Sequence, residues 1–175
     1  AATNILGGVA DVCWGGPMRV MQTYHQVPGC DLVSFAEVVT RDPFVLVGRE
    51  PRPDFTPRDL VGPRVGTVME VPTPWLCLQE DLRRAGIDPS SVNRSTTGSM
   101  AENAAALALG DLDVIQVFEP FVSSLLASGT GHIWYVAASR GPTSYTTFYA
   151  RRAVLRDRRD ELRAMVRAIA RTQAW

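Results

Sequence analysis

The chain contains no lysine, and all 18 of its basic residues are arginine. That absence removes Schiff-base lysines, the phosphate-binding lysine of P-loop enzymes and lysine general bases. Histidine is scarce: His25 and His132 are isolated from each other and from any carboxylate spacing that suits a metal, and neither is assigned a function. Cysteine is limited to Cys13, Cys30 and Cys77, with no CxxC motif and no paired zinc-ligand spacing. Each lies among apolar neighbours and reads as a small buried hydrophobe, with a disulfide such as Cys13–Cys30 left open. GxGxxG, Walker and GxSxG sequences are all missing, which removes the usual phosphate cradles and the hydrolase elbow. No apolar run is long enough to cross a bilayer, and no charged segment followed by an apolar one opens the chain. Net charge is zero at neutral pH, so nothing global steers the chain to nucleic acid or an anionic membrane.

What the sequence does hold is 46% hydrophobic residues in 175, enough for one large domain or two small lobes with genuine cores. Short runs rich in Val, Ile and aromatics predict strands at 10–14, 32–39, 44–47, 64–68, 113–118, 133–137 and 146–150. Between them, helices are expected at 17–25, 73–85 with Gly86 as a stop, 99–109 ended by Gly110, and 120–127 ended near Gly129. This alternation predicts an α/β fold with parallel-dominated sheets flanked by helices. Residues 1–6 read as the tail of a helix and 157–175 as an amphipathic one, so the chain reads as truncated at both ends. On that last helix Leu162, Met165, Val166 and Ile169 share a face. Arg159, Arg163, Arg167 and Arg171 lie opposite as a solvated stripe, partly neutralised by Asp157, Asp160 and Glu161.

In open α/β sheets ligands sit beyond the carboxyl ends of strands, where loops lead into helix amino termini. Three junctions stand out. Trp14-Gly15-Gly16-Pro17 offers close backbone approach; in Thr73-Pro74-Trp75, Thr73 is a candidate N-cap and Pro74 a first helical residue. The third is Phe118-Glu119-Pro120, where an acid stands at the exit of an apolar strand. Asp11 and Asp113 stand instead at strand starts, where they organise the preceding turn. No set of side chains resembles a catalytic constellation.

The run FTPRDLVGPRVGTVMEVPTPWLCLQEDLRRAGIDPSSV, followed by MAENAAALALGDLDVIQVFEPFVSSLLASG, resembles the SsuA/THI5-like (NMT1-like) substrate-binding proteins of ABC importers for nitrate, sulfonates, taurine and thiamine-precursor pyrimidines. The segments GGVADVCWGGPMRVM and TSYTTFYARRAVLRDRRDELRAMVRAIARTQAW are similar to parts of the same family. The resemblance starts after the family's first strands and stops before its last helices. It implies a two-lobed periplasmic-binding-protein-like fold (type II): residues 1–50 part of lobe 1, 51–58 a hinge, 59–140 lobe 2, and 141–175 a return to lobe 1. The proline-rich EPRPDFTPRD suits the hinge. It also implies a solute-binding component that performs no chemistry and takes no cofactor, working as a monomer in the periplasm or tethered outside the cytoplasm. Its partners would be a small-molecule ligand and a membrane permease, without nucleic acid.

Carried over by position, the ligand-binding candidates are Trp14, Gly15, Gly16, Thr73, Trp75, Glu119, Ser144 and Tyr145, with no catalytic or metal residue. An acid at 119 favours a ligand with an amine or N–H donor. Two alternatives remain. One is the superfamily's pyrimidine-building enzyme branch, which needs a lysine and adjacent cysteines that this stretch lacks. The other is the ligand-sensing domain of a regulator.

Overall fold

The computed structural model describes residues 2–175, and Ala1 lies outside the described residues. In chain order the elements are α1 (Ala2–Leu6), β1 (Val12–Gly15), α2 (Pro17–Gln26), β2 (Leu32–Val39), β3 (Val45–Gly48) and β4 (Arg64–Gly66). Then come α3 (Thr73–Arg84), β5 (Asn93–Ser95), α4 (Met100–Leu109), β6 (Val114–Val117), α5 (Phe121–Ala127) and β7 (His132–Val136). The chain closes with β8 (Thr146–Arg151), α6 (Arg152–Asp157) and α7 (Arg159–Gln173). Every strand expected from sequence has a counterpart within a few residues. The unforeseen one is β5, whose Asn-Arg-Ser carries no apolar residue.

Two compact units form among the described residues: 2–41 with Pro142–Trp175, and Asp42–Gly141. The hinge expected at 51–58 therefore lies inside the second unit, and the chain passes between units at Arg41–Asp42 and Gly141–Pro142. Strand pairing is the reason. β3, placed before that hinge and so in the first lobe by the sequence, is flanked by β6 and β7. The prolines read as a linker instead decorate a surface loop that ends in a short turn, Pro57–Leu60, whose Leu60 is buried.

The first unit is a three-stranded sheet, β1-β8-β2, antiparallel throughout. Fully buried Tyr149, at the centre of β8, packs with Ile5, Val20 and Leu32. Further along, Leu162 of α7 packs with Ala150 and Val154. Arg159, Arg163, Arg167 and Arg171 are all exposed. The helix expected from Asp157 onward is α7, which begins at Arg159; the short α6 before it was not expected, and the two meet at Arg158, which pairs with Asp11 and Glu161.

The second unit is a mixed sheet in the order β5-β4-β6-β3-β7. Parallel pairing is confined to β4 with β5 and β6; β3 runs antiparallel to both its neighbours, so the sheets are less parallel than expected. All four residues of β6 are buried because helices cover both faces, as a run without alternation demands. Val114 faces Leu78 and Leu82 of α3, whereas Ile115 and Val117 face Leu107, Val122 and Leu125 of α4 and α5. Where β3 ends, a Cβ on Gly48 would stand 2.1 Å from the Trp134 ring, so only glycine fits. The Trp134 indole donates to the Glu50 carbonyl at 2.7 Å.

Two ionic contacts fasten this unit. Asp113, at the start of β6, accepts from the Arg64 backbone N–H at 2.8 Å and from its guanidinium at 2.9 and 3.1 Å, joining β6 to β4. Those bonds hold the Asp113 pKa down at about 2. Arg140 donates to Asp42 at 2.6 Å and to both oxygens of Asp81 on α3. Asp42 is fully buried, and that burial raises its pKa despite the Phe44 N–H and Arg140. Burial also works against the Arg140 charge, but its bonds to Asp81 and Asp42 outweigh this and raise its pKa.

Arg140→Met would strand Asp42 without a counter-charge and should cost about 3–5 kcal/mol in denaturant unfolding; a loss below about 1 kcal/mol would contradict this role. For Asp113 the folded pKa lies below its ordinary 3.8, so its stabilisation is complete above that value and is lost as pH falls through about 2. Asp113→Asn should therefore flatten the decline of the unfolding midpoint between those pH values, and an unchanged acid limb would count against the ion pair.

Candidate functional site

Because β4, β5 and β6 are parallel, their carboxyl ends reach one edge of the second unit's sheet. The loops that follow them lead into α3, α4 and α5, and each helix presents first-turn N–H groups that need partners. At α4, Ser99 and Glu102 form a reciprocal capping box, and Glu70 from the β4–α3 loop adds a bond from the Met100 N–H at 3.0 Å. At α5, Glu119 accepts from the Ser123 N–H at 3.0 Å. At α3 the residue before the helix is Pro72, which offers no capping side chain, and among the described residues no other side chain bonds a first-turn N–H. Thr73, expected as its N-cap, is instead the first helical residue: Pro72 before it already has helical angles (φ −79°, ψ −26°), which moves the helix start back by one.

Under this edge lies a buried polar cluster. The Thr67 hydroxyl donates to the Ser95 carbonyl at 3.2 Å and accepts from Arg94 Nε at 2.7 Å. The Asn103 amide donates to the Thr67 carbonyl at 3.2 Å. Gln116, 2% exposed, donates to the Pro74 carbonyl in the first turn of α3. Arg94 lies with its guanidinium carbon 4.3 Å from the Trp75 ring centre.

The expected site residues divide between the two units. In the second, Thr73 and Trp75 are buried; Trp75 packs in the core with Leu78 and Val114 and is not a free aromatic wall. Glu119 is exposed, with one oxygen engaged as a helix cap. In the first, Trp14 is 58% exposed and its indole donates to Thr146 Oγ1 at 2.7 Å, tying β1 to β8. Gly15 pairs with Thr147, and Gly16 is the extended residue before α2, without positive φ. Ser144 is exposed, whereas Tyr145 is buried with its N–H on the Val39 carbonyl at 2.9 Å.

Sequence reasoning missed Arg94, Thr67 and Gln116. Arg94 was hidden because Asn-Arg-Ser gives no strand periodicity. The one usable signal was the strand-helix alternation, which calls for a strand between α3 and α4.

The profile of the NMT1-like family matches residues 52–175. The chain belongs to that family. The binding protein candidate YtlA of Bacillus subtilis (strain 168) is 27% identical over 177 residues, covering 99% of this chain and 52% of that protein. Among solved structures, the periplasmic aliphatic sulphonate binding protein SsuA from Escherichia coli superposes with a TM-score of 0.81 at 21% identity, covering 98% of this chain and 58% of that one. The desulfurization enzyme DSZB also shares the fold, with a TM-score of 0.61 at 16% identity, covering 90% of this chain and 60% of that one. This NMT1-like chain thus spans about half the length of the relatives it matches.

The cap at Glu119 gives a direct test. Glu119→Ala should lower stability by about 0.5–2 kcal/mol, the range for a lost helix cap, and Glu119→Gln, which keeps an acceptor, by less. Equal stability of all three proteins in urea unfolding would remove Glu119 from the capping role.

Proposed function

We propose that the protein containing this chain is the solute-binding component of an ABC importer. It captures a small organic or oxyanion ligand, of sulfonate, nitrate, taurine-like or pyrimidine and aromatic type, and delivers it to a membrane permease from a periplasmic or membrane-tethered extracytoplasmic position. Membership of the NMT1-like family carries this reading, together with a fold shared with SsuA. Among the described residues no helix is long and apolar enough to cross a membrane. Trp14, Gly15, Gly16, Ser144 and Glu119 are the proposed ligand contacts near strand ends, with Thr73, Trp75 and Tyr145 supporting them from buried positions.

The likeness to DSZB, at 16% identity, is one of fold and does not favour an enzymatic reading. The binding reading is tested by thermal melts of the full-length protein with sulfonates, nitrate, aminopyrimidines and aromatic acids. A ligand at 100 times its Kd adds about 2.7 kcal/mol, which should lift Tm by several degrees. A flat response to every compound would contradict the proposal, and turnover of any of them would favour the enzymatic reading.

A further inference from the structure

Arg94 differs from most of the structured arginines of the second unit. Arg52, Arg64, Arg84 and Arg140 each meet a carboxylate. Arg94 meets none among the described residues, and its one hydrogen bond runs from Nε to Thr67 Oγ1. A half-buried charge without a counter-ion is costly, and burial lowers the Arg94 pKa accordingly.

The mounting leaves one part of the group unused. Stacking on Trp75 occupies a face of the guanidinium, and Thr67 takes the Nε hydrogen. The two terminal nitrogens keep their N–H donors in the guanidinium plane, in the fork that matches a planar or tetrahedral oxyanion. Thr67 is itself fully buried and bonded to Ser95, so the fork's orientation is fixed before any ligand arrives. Arg94 stands in the middle of β5, next to Trp75 in the first turn of α3, where no described side chain bonds a backbone N–H. The neighbouring acids are turned elsewhere, Glu70 of the β4–α3 loop and Glu102 of α4 to the start of α4, and Glu119 to α5.

We infer that Arg94 is the anion-anchoring residue of the second unit, held by Thr67 and Trp75, and that the ligand presents it with a monoanionic sulfonate or carboxylate head. This rests on the solute-binding reading and reverses the amine preference that Glu119 suggested from sequence.

The test is calorimetric titration of the full-length protein and its Arg94→Met and Arg94→Lys variants. The probes are butanesulfonate, benzenesulfonate, pentanoate and benzoate, with pentanamide and benzamide as uncharged counterparts. The wild type should bind at least one anion in preference to its amide, and the sulfonate and carboxylate arms tell which head is taken. Arg94→Met should weaken that binding about 10- to 100-fold with its melt preserved, and Arg94→Lys should recover part of the loss. Should Arg94→Met fail to fold, Arg94→Lys decides: weakening of about threefold or more supports the assignment, and none overturns it. Equal affinity in Arg94→Met, or an amide bound as tightly as its anion, overturns the role of Arg94 while leaving the solute-binding reading intact. So does binding of nitrate or an aminopyrimidine with none of the four organic anions. Silence towards every compound removes both.

Discussion

Parallel pairing of β4 with β5 and β6 is the constraint from which the candidate site follows. It delivers three strand ends, and the starts of three helices, to one edge of the second unit. Each start leaves backbone donors that must be satisfied, and each carries a partial positive charge. Loop acids answer this at α4 and α5. Among the described residues no side chain does so at α3, and the nearby Arg94 adds a whole positive charge instead of a negative one. The edge is thereby left short of anions at one defined place.

The same helix is anchored at both ends. Arg140 grips Asp81 near the carboxyl end of α3 and Asp42 at the beginning of the unit. Gln116 holds the Pro74 carbonyl in its first turn, while Leu78 and Leu82 pack into the core between. A solute-binding surface gains affinity when its groups are placed before the ligand arrives, since less ordering remains to be done on binding. On the proposed reading, stability and ligand capture are linked through α3.

Much of the fold was legible in the sequence because its signals are local. Gly110 ends α4 in a left-handed conformation, φ 85°, and the Ser99–Glu102 box starts it. The apolar run Val114 to Val117 forms the buried strand it announces. Strand direction and unit boundaries were less legible, since they depend on partners distant in sequence. β3 joins the second unit through β6, more than 60 residues later, and no linker composition reveals that. Glu119, Trp14 and Trp75 are legible as candidates because the chemistry of a strand-to-helix junction is local. Trp75 is instead core, and Glu119 is engaged as a cap. Arg94 matters through Thr67 and Trp75, contacts that only the folded sheet creates.

The central claim is that small ligands are captured at strand ends and undergo no chemistry there. It is tested most directly by amide chemical-shift mapping of the full-length protein during titration with an alkanesulfonate that binds it. The account predicts saturable shifts concentrated at residues 14–16, 67–73, 94–99 and 118–120, with the ligand recovered unchanged. Shifts confined to other surfaces, such as the groove between Phe35 and Val166 of α7, would contradict it, as would conversion of the ligand.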